Sequence, residues 1–170
     1  MILLLISLLC LSLYFYDYED TMWDDLGEYI INHCNTKNIN SVSNDMLSNK
    51  VNKMDSSCKV VEIAIGKFFH VSDYLKTYDS KIIEFTATDI DPDNSDITFD
   101  DITNPNMEIY NGADIIYSIR PPQELQPFIS DIIKKTGAIL IIKPLFNEDL
   151  NLNLSMKLIN YKKAVFYQSI

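Results

Sequence analysis

Apolar and polar residues alternate in blocks from about Cys58 to the C-terminus, and these blocks predict strands and helices in turn. Short apolar runs that end at Gly, Asp or Asn are typical of buried strands, and the segments between them show helical spacing or helix-capping residues. In chain order, the predicted elements are strand 59–65, helix 69–78, strand 81–88, strand 95–99, a helical turn at 104–110, strand 112–119, helix 122–136, strand 138–143, and a hairpin of 154–160 with 164–168.

Strands and helices that alternate in this way form βαβ units with right-handed crossovers and therefore a mostly parallel sheet. The predicted fold class is α/β: a Rossmann-like, mostly parallel twisted sheet flanked by helices and completed by a C-terminal antiparallel hairpin. Residues 58–170 make up this Rossmann-like domain.

Residues 1–21 form an apolar N-terminal extension that carries no charge through Tyr16. A signal peptide has a positive start and a small-residue cleavage site, which are missing, and a membrane-spanning helix needs about 17–25 apolar residues. We favour a mis-assigned start, with the working protein beginning at Met22. A membrane anchor through residues 1–16 is the minority alternative, and a signal sequence or buried strand is a weaker one.

Residues 22–57 combine a helix with a polar insertion. The segment 22–34 predicts a short amphipathic helix, because Leu26, Tyr29, Ile30 and Cys34 lie near helical spacing. The segment 35–57 is rich in Asn, Ser, Lys and Asp, which is typical of a linker or of a weak helix around 44–54.

The net charge and the cysteines indicate which ligands, redox compartment and metal sites to expect. A net charge of −10 with scattered lysines disfavours nucleic-acid binding but not the binding of a small anionic or zwitterionic ligand. Three widely spaced cysteines, Cys10, Cys34 and Cys58, fit a reducing compartment better than a disulfide framework. The chain has no C-x-x-C pair, so no zinc site is expected.

Polar residues and glycine follow four successive predicted strands, where open parallel sheets bind their ligands. Glu62 and Gly66 shape the turn after the first strand, and Asp89 and Asp101 follow the second and third. Ser118 to Pro122 follow the fourth strand. Each feature alone is common in turns and helix caps. Their joint order resembles that of Rossmann-like methyltransferases that use S-adenosylmethionine.

A closer resemblance is to the archaeal uncharacterised protein family 0146, a family of small Rossmann-like, methyltransferase-like proteins. The string Tyr117-Ser118-Ile119-Arg120-Pro121-Pro122 is its most specific part. The stretches that carry the resemblance are 61–69, 87–90, 100–105, 108–122 and 158–161. The likeness begins near Met22, which supports the mis-assigned start, and it implies a cytoplasmic location. The chain departs from the family's pattern at two positions. Ala64 occupies the place of the family's first glycine, and His70 occupies the place of an acid.

The resemblance implies roles for the residues at the strand ends. Asp89 would hold the ribose of a bound nucleoside and Asp101 would contact its base, while Ser118, Arg120, Pro121 and Pro122 would form the acceptor side. Arg120 is the only arginine among fourteen basic residues, which favours a bidentate grip on a carboxylate or phosphate. A salt bridge to Glu124 or Asp114 is the alternative.

We therefore expect a protein that binds S-adenosylmethionine or a related nucleoside, as a methyltransferase whose acceptor the sequence does not name. The rival is a non-catalytic, degenerate module that senses a nucleotide or pairs with another protein. A nicotinamide dinucleotide enzyme is less favoured, because the full G-x-G-x-x-G fingerprint is missing. A closed, deep cleft at Gly66 and Asp89 would favour ligand binding, and a cleft filled by side chains would favour the rival.

Overall fold

A computed structural model describes residues 21–36, 57–78, 82–145 and 149–170 of the chain. Its helices are α1 (residues 21–36), α2 (His70–Lys76), α3 (Met107–Tyr110) and α4 (Gln126–Thr136). Its strands are β1 (Cys58–Ile63), β2 (Ile83–Asp89), β3 (Ile97–Phe99), β4 (Ile115–Ile119), β5 (Ile139–Lys143), β6 (Met156–Tyr161) and β7 (Ala164–Ser169).

All seven of these strands belong to one sheet in the order β3-β2-β1-β4-β5-β7-β6. The first five are parallel, and β7 runs antiparallel to both β5 and β6. The predicted α/β class, with its mostly parallel sheet and C-terminal hairpin, is confirmed, and the element ends differ by only a few residues. The strand order reverses between β1 and β4, and open sheets of this type commonly bind ligands beyond the carboxyl ends of the strands at such a point.

Alternate residues of the central strands point to two separate cores. Val60 of β1 and Tyr117 of β4 lie on the face that α1 and α2 cover. Val61 and Ile116, their neighbours along the chain, lie on the face that α3 and α4 cover. Because successive side chains of a strand point to opposite faces, a sheet covered on both sides favours strands that are apolar at most positions, as in this sequence.

The helix predicted in the segment 22–57 is part of the same folded unit as the sheet. Trp23, Leu26 and Ile30 of α1 are almost fully buried in the core on the α1 face. The same helix holds the hairpin through polar contacts: the Tyr29 hydroxyl donates to Gln168 at 2.6 Å, and the backbone amide of Lys163 donates to Asp25 at 2.9 Å. The helix therefore joins the last strands of the sheet to its centre.

Cys34 and Cys58 form a disulfide, whereas the sequence favoured a reducing compartment over a disulfide framework. The two Cα atoms lie 5.4 Å apart, at the end of α1 and the start of β1, although 24 residues separate them in sequence. Both residues are at most 1% exposed. Wide spacing along the chain was a poor guide, because the fold returns the chain to the same point of the core.

Two sequence expectations lie outside the described residues. These are the interpretations of the apolar segment 1–16 and the weak helix or linker around 44–54. Within the described part of the chain, none of the helices combines the length and apolar character that crossing a membrane requires.

The disulfide should contribute measurably to stability. A crosslink that closes a loop of 24 residues is expected to add roughly 3–3.5 kcal/mol by restricting the unfolded chain. Urea unfolding with and without reductant should show this loss, with thiol titration to verify reduction. The double variant Cys34→Ala/Cys58→Ala is the control, because reductant should not change its midpoint. Equal stability of the oxidised and reduced wild-type protein would contradict the expectation.

Candidate functional site

A cavity of about 290 Å³ opens at the carboxyl ends of β1, β2 and β3, beside the loop after β4. Ile63, Ala64, Thr88 and Asp89 line it from the first two strands. The rest of its lining comes from the loops after β2, β3 and β4 and from α3: Ile90, Asp100, Asp101, Ile102, Thr103, Tyr110, Pro122 and Leu125. The lining includes Asp89 but not Gly66, and side chains do not fill the cavity.

Asp89 ends β2 and supports the turn that follows β1. One of its carboxylate oxygens accepts the Gly66 amide at 2.8 Å, and the other accepts the Asp91 amide at 2.9 Å. Gly66 has φ +57°, a conformation that glycine adopts at no steric cost. A carboxylate offers about four lone-pair directions, so each oxygen keeps one for a ligand.

Asp100 and Tyr110 form a buried hydrogen-bonded pair on the cavity wall. The Tyr110 hydroxyl donates to one Asp100 oxygen, and the Asn106 amide donates to the other at 2.8 Å. Burial and the Asp100 carboxylate raise the pKa of Tyr110, so this phenol stays protonated. Thr88 extends this series of hydrogen bonds. Its hydroxyl lies 3.4 Å from the same phenol oxygen and donates to the Glu62 carbonyl at 3.1 Å.

Asp101 lies at the rim. Its carboxylate accepts the hydroxyl of Thr103 at 2.7 Å and the amide of the same residue at 2.9 Å. These two hydrogen bonds lower the pKa of Asp101. Together with Asp89 and Asp100, it gives the cavity three carboxyl groups and no Lys, Arg or His among the described residues that line it.

Two non-glycine residues in left-handed conformations flank the point where the strand order reverses. Ala64 follows β1 with φ 54°, and Arg120 follows β4 with φ 53°. Such a conformation costs an L-residue roughly 1–2 kcal/mol. Strain of this kind persists where the surrounding structure fixes the backbone, and it concentrates at functional sites.

Of the eight candidate residues that the sequence places at the strand ends, five do not line the cavity: Glu62, Gly66, Ser118, Arg120 and Pro121. Ser118 is 1% exposed, and its hydroxyl donates to the Ile63 carbonyl at 2.8 Å, which ties β4 to β1. Glu62 is also 1% exposed and lies on the α1 face, where the Tyr117 hydroxyl donates to it at 2.7 Å. Of the assigned ligand and acceptor residues, Asp89, Asp101 and Pro122 do line it.

Arg120 is exposed and stacks on aromatic rings. Its guanidinium carbon lies 5.4 Å from the ring centre of Trp23 and 5.7 Å from that of Phe68. No carboxylate of the described residues forms an ion pair with it, so the salt bridge to Glu124 or Asp114 is not formed. His70, which stands where the family resemblance has an acid, opens α2 and lies 3.1 Å from an Asp24 oxygen.

The sequence did not reveal the pairing of Asp100 with Tyr110. Ten residues separate them, and no spacing rule links a carboxylate after one strand to a phenol at the end of a short helix. Nor did it reveal the apolar walls formed by Ile90 and Ile102, which look like ordinary loop residues. The described residues contain no cluster of three or more His, Cys, Asp or Glu side chains that could hold a metal ion.

Residues 44–170 match the model of the uncharacterised protein family UPF0146. The chain belongs to this family. A UPF0146 protein of Methanothermobacter thermautotrophicus is 40% identical over 149 residues, which cover 88% of this chain and 96% of that protein. A UPF0146 protein of Methanocaldococcus jannaschii is 42% identical over 122 residues, covering 66% of this chain and 85% of that protein. The relatives found are archaeal.

Solved structures show more distant similarity to this UPF0146 protein. A SAM-dependent methyltransferase from Aquifex aeolicus has a TM-score of 0.47 and 12% identity, and the match covers 69% of this chain and 85% of that one. D-2-hydroxyisocaproate dehydrogenase has a TM-score of 0.37 and 12% identity, and the match covers 69% of this chain and 37% of that one. The fold assignment rests on the sheet order itself. The cytoplasmic location stays a prediction.

The buried Glu62 carboxyl should make stability fall as pH rises. Burial raises its pKa to about 8, against an ordinary value of 4.5. Between these values the folded state holds a proton that the unfolded state has lost, so stability declines by at most about 1.4 kcal/mol per pH unit. Glu62→Gln keeps an acceptor for Tyr117 and should flatten this decline between pH 4.5 and 8. Parallel pH profiles of the two proteins in urea unfolding would refute this role of Glu62.

Replacing Ala64 with glycine should relieve the strain at the end of β1. We expect Ala64→Gly to raise the free energy of unfolding by up to about 1 kcal/mol, because the relieved strain exceeds the entropy cost of glycine. Ala87→Gly, within β2, is the control and should destabilise the protein. If Ala64→Gly lowered the denaturation midpoint as much as the control, the backbone at Ala64 would not be strained.

Proposed function

We propose that this UPF0146 protein binds S-adenosylmethionine or a related nucleoside in the cavity at the carboxyl ends of β1, β2 and β3. The observation that carries the proposal is the Asp89 carboxylate. It ends β2, the neighbour of β1 in the sheet, lines the cavity, and keeps acceptor positions after both of its backbone hydrogen bonds are made. The volume of about 290 Å³ is at the lower end for ligand pockets.

Asp89 is suited to the two hydroxyls of a ribose. The Gly66 and Asp91 amides hold the carboxylate in one orientation, so little side-chain freedom is lost when a ligand binds. Each hydroxyl would donate to one oxygen, in the manner that dinucleotide-binding folds use for the acidic residue after their second strand.

The carboxyl groups of the lining disfavour a phosphate. A pyrophosphate would meet Asp89, Asp100 and Asp101 with no basic side chain among the described lining residues, so like charges would repel. An adenosyl compound carries no phosphate, and the sulfonium of S-adenosylmethionine is positive. The lining thus supports an adenosyl ligand over a nicotinamide dinucleotide.

The base would lie between apolar walls. Ile90 is 62% exposed and Ile102 is 8% exposed, and they line the cavity from the loops after β2 and β3. Asp101, in the second of these loops, would accept a hydrogen bond from an exocyclic amine. Burying Ile90 against a base would remove apolar surface from water, which favours binding.

S-adenosylmethionine supplies an activated methyl group, and the loop 120–122 would face the acceptor. Methyl transfer chiefly requires alignment of donor and acceptor, so it needs no dedicated nucleophile in the protein. The methyl group of Ala64, which lines the cavity in the place of the family's first glycine, favours a second candidate: a nucleotide-sensing module that holds the nucleoside without a reaction.

Asp89→Ala should weaken nucleoside binding by tenfold or more, because a lost charged hydrogen bond costs ~1.5–3 kcal/mol. Calorimetric titration of the full chain with S-adenosylmethionine, S-adenosylhomocysteine and adenosine would measure this, with NAD for comparison. Asp91→Asn is the matched control, because only the backbone amide of Asp91 contacts Asp89.

The ligand series separates the two candidates. Tighter binding of the adenosyl amino acids than of adenosine supports the methyltransferase, whereas equal binding supports the nucleotide-sensing module. Unchanged affinity in Asp89→Ala would remove the ribose assignment. No binding of any adenosine compound by the folded wild-type protein would reject the proposal as a whole.

A further inference from the structure

The side chain of Arg120 lies on a platform of two aromatic rings at the carboxyl end of β4. Its guanidinium carbon is 5.4 Å from the ring centre of Trp23 and 5.7 Å from that of Phe68. Trp23 belongs to α1 and is 2% exposed, so the platform is anchored in the core. Stacking on the rings leaves the N–H groups at the edge of the guanidinium available to a ligand, since they point outward in its plane.

The backbone around Arg120 is held on both sides. The Arg120 amide donates to the Lys143 carbonyl at 2.7 Å, which continues the pairing of β4 with β5. The buried Gln126 side chain donates to the Pro121 carbonyl at 3.4 Å and accepts the Asn151 amide at 2.7 Å. The left-handed conformation at Arg120 is thus imposed by its surroundings, and the guanidinium is positioned before a ligand arrives.

A second cation lies beside this group. Lys143 ends β5 next to Ile119 in the sheet, and both burial and the charge of Arg120 lower its pKa. Two basic residues therefore lie at the carboxyl ends of the neighbouring strands β4 and β5. This arrangement is notable in a chain of net charge −10, where carboxylates are plentiful yet no described one pairs with Arg120.

We propose that Arg120 on the Trp23–Phe68 platform is an oxyanion subsite that binds a carboxylate or phosphate group of the methyl acceptor. The identification of the anion as part of a methyl acceptor rests on the proposed function, whereas the anion binding itself does not. Pro122, two residues further along, lines the nucleoside cavity, so the subsite and the cavity share one loop. The acceptor class would then be small acidic molecules, and cationic acceptors would be excluded.

Trp23 is the only tryptophan of the chain, and it reports directly on the subsite. The full-length protein without nucleoside would be titrated with inorganic phosphate and, separately, with glutarate at constant ionic strength. Tryptophan emission and calorimetry would both be recorded. A saturable response to either probe is expected, and the stronger response identifies the anionic group as a phosphate or a carboxylate.

Variants at position 120 then test the assignment. Arg120→Gln should weaken anion binding by about tenfold or more, and Arg120→Lys should restore only part of the affinity, because it lacks the planar fork. Lys134→Gln is the matched control, because this exposed lysine lies on α4 and pairs with Asp131. If Arg120→Gln does not fold, as judged by circular dichroism, the loss in Arg120→Lys decides the question.

The outcomes separate this proposal from the function of the cavity. Arg120→Gln should leave adenosyl binding unchanged, and Asp89→Ala should leave anion binding unchanged. The oxyanion subsite is overturned if neither probe gives a saturable response. It is also overturned if Arg120→Gln or Arg120→Lys binds the probes like the wild type, or if Lys134→Gln loses as much affinity.

Discussion

The parallel pairing of β1 with β2 on one side and with β4 on the other determines the rest of the molecule. In this register Glu62 lies between Ala87 and Tyr117, so the three strands end at the same edge of the sheet. From that edge the chain crosses over to β2 on one side of β1, and later to β4 on the other side of β1. A crevice is left where the two directions part, and every candidate ligand contact lies around it.

The carboxylates at this edge support the protein's own loops and also line the cavity proposed for a ligand. Asp89 holds the turn after β1, and Asp100 fixes the loop before α3 and the Tyr110 phenol. A buried carboxyl group is costly unless it is hydrogen-bonded, and these bonds meet that need. Structural support and the proposed ligand recognition therefore involve the same side chains.

The sequence was sufficient for the sheet because β1, β4 and β5 are mostly apolar and are followed by turn residues. It also placed Asp89, Asp101 and Pro122 at the strand ends that form the cavity. It could not assign the directions of side chains within a strand. Glu62 and Ser118 precede the strand end and point into the two cores, where they bond Tyr117 and the Ile63 carbonyl. Contacts between distant segments, such as Cys34 with Cys58 and Arg120 with Trp23, depend on the packing of α1, which no local pattern encodes.

The bond between Cys34 and Cys58 also makes residues 34–58 a closed ring in the covalent structure. A single break of the backbone inside this ring would leave α1 attached to β1 through sulfur. The helix would keep its Trp23 beneath Arg120 and its contacts with the hairpin. Because doubling a loop costs only about 0.6 kcal/mol, the ring could also lengthen or shorten during evolution with little effect on the sheet. The polar insertion is thus a part of the chain in which sequence can change while the fold is conserved.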